Sequence, residues 1–328
     1  MKTLTHRLLP YSLLLCWGFT ACEVEFTPNA DWKETPVVYC LLDQDDDTTW
    51  ARIEKCYLGE GNIYQYASNS DSINYPSNAI TAHLIAYGSH GESVDSLRFN
   101  ETPVDRRNGA FTSQDQPTYY CLTRGWLNES YTYGLRVRRA SDGKILCQTL
   151  YPISLISKTP TDSLITRPYS GRRFAFKDGN NTCQIEWNAL ANARLYQPYI
   201  RLYYESGGDT SYTDIMCQQV ASRNSASHYS ISYPKEAFLN SIKSNLGQDT
   251  SSKRYLAMVD IYLLSCSEDL KSYIYSASGQ LTETYTNIEN GVGVLAARRT
   301  HMFKRFPADD SDLRGGLRSD LRELNIGF

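Results

Sequence analysis

Apolar side chains recur at every second position in several stretches of this chain, and that period commits the polypeptide to β-sheet. Residues 79–87 place Ile80, Ala82, Leu84 and Ala86 on one side, the pattern of a half-buried strand. Cys183, Ile185 and Trp187 alternate with Gln184 and Glu186 in the same way, and residues 255–264 repeat the pattern. Twenty-five tyrosines, with abundant Thr, Ser, Ile and Val, suit a pleated surface better than a helix. Further strands are expected over 37–42, 49–58, 118–122, 130–139, 145–150 and 195–205. Asp43-Gln44-Asp45-Asp46-Asp47 connects the first two of these as an acidic hairpin. Asp142-Gly143 tolerates the positive φ angles of a tight turn before 145–150.

Length and spacing suggest more than one module. A chain of 328 residues fits two domains on the usual size of about 150 residues each. Short strands separated by turn residues point to sandwiches. The expected fold class is mainly β, with two tandem β-sandwich domains. An immunoglobulin-like sandwich is expected over residues 36–155. A fibronectin type III-like sandwich with inserted helices follows over 156–300, and an irregular tail over 301–328. The segment 152–166, with Pro160 inside it, is the expected connector. The Trp187 and Tyr196 pair resembles the early strands of a fibronectin type III module. Two helices are predicted in this half. One starts at Pro234 and stops near Gly247. The other starts at Ser267, a capping residue, followed by Glu268 and Asp269, which suit the helix dipole. Both are expected to cover a sheet edge.

The N-terminal residues carry a different message. Lys2 and Arg7 precede an apolar core over 8–18, and Phe19-Thr20-Ala21-Cys22 closes the segment. Such a segment is a secretory signal, too short to span a bilayer. With Cys22 after Ala21 it resembles the bacterial lipobox, although Phe19 stands where leucine is usual. That resemblance implies cleavage between Ala21 and Cys22 and acyl chains, of the palmitate type, on Cys22. Residues 1–21 would then be the signal peptide and 22–35 a polar tether. Several acyl chains hold a protein firmly on a membrane. Glu23 and Glu25 resemble a weak surface-export tag. Without Lys2 and Arg7, 31 basic residues face 36 acidic ones, a net charge of −5. That balance excludes a general nucleic-acid surface. Arg136 and Arg138 alternate with Leu135 and Val137 beside Arg139, and are expected on the solvated side of a strand.

Few residues suggest chemistry. Nine cysteines are present; after Cys16 leaves and Cys22 is acylated, seven remain. An odd number cannot all pair within one chain. Their scatter suggests small buried hydrophobes, while export would permit a disulfide. No CxxC or zinc-finger spacing occurs. His83, His90, His228 and His301 form no HExxH, and no Walker or Rossmann glycine pattern appears. No cofactor is expected. Asp43, Asp45, Asp46 and Asp47 are weak calcium candidates that lack the glycine and distal glutamate of an EF-hand; a solvated hairpin tip is the favoured reading. Four Asp-Ser/Thr-apolar tripeptides, starting at Asp47, Asp71, Asp95 and Asp162, resemble bacterial O-glycosylation acceptors.

Thr286-Asn287-Ile288-Glu289-Asn290-Gly291-Val292-Gly293-Val294 is the most specific internal motif. It resembles a closing motif of a Bacteroidota outer-membrane lipoprotein family of unknown function. Pro36-Val37-Val38 and Leu324-Asn325-Ile326-Gly327-Phe328 look like that family's opening strand and tail. The resemblance implies association with TonB-dependent receptors and no enzyme activity. Asn287, Glu289, Asn290, Gly291 and Gly293 are expected to be structural, since Asn-Gly is a turn dipeptide. The leading expectation is a non-catalytic, lipid-anchored lipoprotein at the periplasmic face or cell surface of a bacterial outer membrane. It would bind a partner or ligand, with a TonB-dependent receptor as candidate. The alternatives are a surface adhesion or assembly protein, and a hydrolase whose acids converge only on folding.

Overall fold

The strands expected from the period-two pattern pair, with others, into three sheets. The computed structural model describes residues 33–57, 63–106, 113–158, 164–167, 174, 176, 181–223, 226–247, 253–281, 283–307 and 316–328. The first half holds β1 (Pro36–Asp43), β2 (Thr48–Lys55), α1 (Ile63–Ala67), α2 (Ser70–Ile73), β3 (Ile80–Tyr87) and β4 (Ser93–Arg98). It continues with β5 (Asn100–Val104), β6 (Gln116–Leu122), β7 (Thr132–Arg139), β8 (Ile145–Thr149) and β9 (Ile153–Ser154). The second half holds β10 (Leu164–Arg167), β11 (Thr182–Asn188), β12 (Leu195–Ser206), β13 (Asp209–Met216), β14 (Val220–Ala221) and β15 (His228–Pro234). Then come α3 (Lys235–Leu246), β16 (Arg254–Cys266), α4 (Glu268–Ala277), β17 (Ile288–Glu289), β18 (Val292–Pro307) and α5 (Leu317–Arg322).

The molecule is mainly β, with stacked sheets and no barrel. Its largest sheet has nine strands, ordered β13-β12-β16-β18-β1-β2-β6-β5, with β14 on β12. A six-stranded sheet runs β17-β8-β7-β3-β4, with β9 on β7, and a three-stranded sheet runs β10-β11-β15. One buried cluster joins them. It takes Val38, Cys40, Leu42 and Ile53 from the large sheet and Leu84, Leu135 and Val137 from the six-stranded one. In the second half Trp187 of β11 and Tyr229 of β15 meet Tyr196 of β12, with ring centroids 5.0–5.9 Å apart.

The expected division at residue 155 is not a break between compact units. β1 pairs in parallel with β18, from Val37 against Val292 to Asp43 against Arg298. The large sheet therefore runs through both halves, and residues Glu34–Phe328 form one compact unit. The expected irregular tail is also revised. β18 continues through residue 300 to Pro307, and Leu317, Leu321 and Ile326 are buried beyond it.

The two predicted helices form, at different places. Asn245 of α3 donates from Nδ2 to the Asp214 carbonyl of edge strand β13 at 3.0 Å. This helix shields an edge, as expected. Helix α4 instead packs on β18, and Tyr273 meets Tyr39 of β1 edge-on at 5.6 Å. It covers the parallel seam. Ser267 makes no capping bond to its own helix; its Oγ accepts from the Ala297 N–H of β18 at 3.2 Å.

Candidate functional site

Asn287 is the centre of a polar knot under the motif. Asn290 (φ 57°) and Gly291 turn the chain from β17 into β18. The side chain of Asn287 is buried. Its Oδ1 accepts from the Leu295 N–H at 3.0 Å, and its Nδ2 donates to the Leu295 carbonyl at 2.8 Å and to Asp269 Oδ1 at 3.0 Å. Asp269 Oδ1 also accepts from the hydroxyls of Tyr151 at 3.0 Å and Tyr285 at 2.8 Å. Burial, and then the Tyr151 hydrogen bond, hold the Tyr285 hydroxyl well above the usual tyrosine range. Glu289 accepts from Gln148 Nε2 of β8 at 2.9 Å. Gly293 lies opposite Val38 with φ +115°, and an added Cβ would run into the Val38 carbonyl. Every one of these groups ties elements together.

The acidic hairpin between β1 and β2 faces arginines. Arg299, almost fully buried, forks onto Asp45 at 3.0 and 3.1 Å and reaches Glu129 at 3.0 Å. Its Nη1 also donates to the Ile156 carbonyl at 3.0 Å. Arg298 lies 3.3 Å from Asp43 and 3.5 Å from Asp46, and Arg124 pairs with Asp47. Burial pushes the Asp43 carboxyl up. The four calcium candidates are thus occupied by guanidinium groups. Among the described residues no cluster of His, Cys, Asp or Glu could hold a metal.

Among the described residues the seven cysteines are free thiols, and all but Cys56 are buried. Burial raises the thiols of Cys121, Cys147, Cys183 and Cys266 to about 12. They pack as small hydrophobes. His228 sits 3.7 Å from Glu186, and Ser89 Oγ lies 3.2 Å from His90 Nδ1 in an exposed turn. Of the tripeptide hydroxyls, Ser96 is exposed and Thr48 and Ser72 are half-buried. Ser163 lies outside the described residues, as do Ala21 and Cys22. No helix among the described residues is long and apolar enough to cross a membrane.

Sequence reasoning missed the outward face of β13-β12-β16-β18. Cross-strand register builds three rows there. Met216, Tyr199, Tyr262 and Met302 form the first; Asp214, Arg201, Asp260 and Arg305 the second; Tyr212, Tyr203 and Met258 the third. Tyr199 stacks on Tyr262 with centroids 4.8 Å apart and planes 3° from parallel. Arg201 forks onto Asp214 at 2.6 and 2.8 Å, and its guanidinium lies 4.0 Å from the Tyr212 ring centroid. Arg305 forks onto buried Asp260 at 2.9 Å. The Asp214 hydrogen bond holds Arg201 well above its usual range, and Asp260 does the same for Arg305. Tyr212, Met216 and Met302 stay about half exposed, at 55%, 47% and 45%. Rigid tyrosines, methionines and pinned arginines are the residue types enriched in protein interfaces.

No family model and no curated protein matches this chain. A DUF4785 family protein from Legionella pneumophila is similar over 78% of this chain and 56% of its own, at 14% identity and a TM-score of 0.22. Beta-glucuronidase 2 from Bacteroides uniformis aligns over 79% of this chain and 27% of its own, at 9% identity and a TM-score of 0.14. This chain therefore spans little more than half of the first protein and about a quarter of the second. Both similarities are too slight to bear on function.

Proposed function

We propose that this chain is a non-catalytic lipoprotein, held at a bacterial outer membrane by acyl chains on Cys22, and that it binds a protein partner through the tyrosine face. The partner we propose is a TonB-dependent nutrient receptor, as the Asn287 motif and its family resemblance imply. On the same reading the first half is immunoglobulin-like and the second fibronectin-like. The observation that carries the binding role is the three-row surface on β13, β12, β16 and β18. Its arginines are fixed by bidentate carboxylates and its tyrosines by stacking. Such side chains lose little conformational freedom on docking.

The test is affinity capture from detergent-solubilised membranes. Wild type should recover a receptor, and a Tyr203→Ser/Tyr212→Ser variant should bind it at least about tenfold more weakly. A partner held equally by both proteins removes the tyrosine face. A clean monomer with no partner removes the binding role. Radiolabelled fatty acid should appear on wild type and be absent from Cys22→Ala.

A further inference from the structure

The six-stranded sheet carries a charge pattern on its outward face that its own packing does not require. Register places Arg98 of β4 beside His83 of β3, and His83 beside Arg136 of β7. Arg138 follows two residues along β7, opposite Thr81. His83 thus stands between two arginines, and like charges gathered on one face of a sheet repel. Among the described residues, no carboxylate lies within ion-pair distance of Arg98, Arg136 or Arg138. This sets them apart from Arg201, Arg299 and Arg305, which all fork onto or meet acids.

Two of these arginines are held in place by neutral acceptors. Arg136 donates from Nε to Gln148 Oε1 at 3.2 Å, and Gln148 is anchored in turn by Glu289. Arg138 donates from Nη1 to the Gly143 carbonyl at 3.0 Å. Both side chains then line a depression of about 240 Å³ together with His83, Ile85, Ser93 and Ser96. Two arginines and two serines thus border one small volume, together with the buried Ile85. Planar forks of this kind match the oxygens of phosphate and sulfate.

We propose that this depression is a binding site for a doubly charged tetrahedral oxyanion, a phosphate or sulfate group, held by Arg136 and Arg138 with Ser93, Ser96 and His83 around it. The anion would offset the repulsion among the basic groups. The inference is independent of the tyrosine face, which lies on a different sheet. His83 supplies the readout. Its imidazole is held below the usual histidine range by burial first, and then by Arg98, Arg138 and Arg136. A bound dianion offsets most of that surrounding positive charge.

The experiment is a nuclear magnetic resonance titration of the His83 ring in the full chain, with inorganic phosphate and with sulfate. Sodium chloride at matched ionic strength is the control. A saturable His83 shift with either oxyanion, absent with chloride, is expected. An Arg136→Gln/Arg138→Gln variant should bind at least about tenfold more weakly, with its backbone spectrum otherwise unchanged. Arg136→Lys/Arg138→Lys keeps the charge and should still lose affinity, because the forks are gone. Equal shifts with chloride, undiminished binding in the lysine variant, or no shift at millimolar oxyanion would each overturn the site. If oxyanion binds, vesicles containing phosphatidic acid, whose headgroup is a phosphate monoester, and a soluble sugar phosphate distinguish a lipid headgroup from a free phosphate ester as its source. Vesicles bound without any response to inorganic oxyanion would also overturn it, since that marks a diffuse charged surface.

Discussion

At Asn287 a carboxamide pairs with Leu295 as a facing strand would, accepting from its N–H and donating to its carbonyl. The remaining amide hydrogen goes to Asp269. Removing the side chain leaves buried partners unsatisfied, and each such group costs more than the bond itself contributes. Asn287→Ala should lower stability by roughly 2–4 kcal/mol in urea unfolding; a loss below about 0.5 kcal/mol would remove the structural role. The Asn290-Gly291 turn was legible in the sequence, because turn chemistry is local. The partners of Asn287 were not. Asp269 stood out only as a helix-dipole acid, and Tyr151 lies 118 residues before it in the chain. The acidic hairpin was misleading for the same reason: its neutralising arginines, Arg298 and Arg299, are over 250 residues away.

Among elements, strands with one buried face were easiest to recognise. β3 and β11 follow the alternation of Ile80, Ala82 and Leu84, and of Cys183, Ile185 and Trp187. β12 was found but its second face was not interpreted, since Tyr199, Arg201 and Tyr203 alternate with buried Ile200 and Leu202. A strand with aromatic residues on both sides hides its period. β4 was missed because Val94 and Ser96 face solvent, so the pattern has little contrast. Helix α5 was missed as well, being short, and it is fixed by tertiary contact. Its Asp320 is buried and pairs with Lys235 of α3. Burial raises the Asp320 carboxyl, and Lys235 only partly opposes this. A carboxyl whose folded pKa exceeds its unfolded value binds more protons when folded, so stability rises as pH falls. Relative to Asp320→Asn, wild type should gain stability as pH drops through the folded value. The gain should be complete below the ordinary carboxylate value. Urea unfolding of both proteins across that range checks it, and a pH-independent difference would contradict it.

For the whole molecule, composition and periodicity identified a mainly β protein, while local pattern suggested two separable modules. The parallel β1–β18 pairing could not be seen locally, because it joins opposite ends of the chain. Gly293 was visible as a motif glycine, yet its reason is the close approach of the Val38 carbonyl across that seam. One sheet runs from Pro36 to Pro307, and one buried cluster takes residues from Val38 to Ile326. Unfolding should therefore be a single transition, with calorimetric and van't Hoff enthalpies equal; two resolved transitions would restore the two-module view. The seam also sets an order of events. β1 leaves the ribosome before β18, and Asp43 meets Arg298 only after 255 more residues follow. Closing so long a loop is slow. A nascent chain must carry β1 without that neighbour until β18 has been made, and over that interval the strand's exposed backbone is open to mispairing.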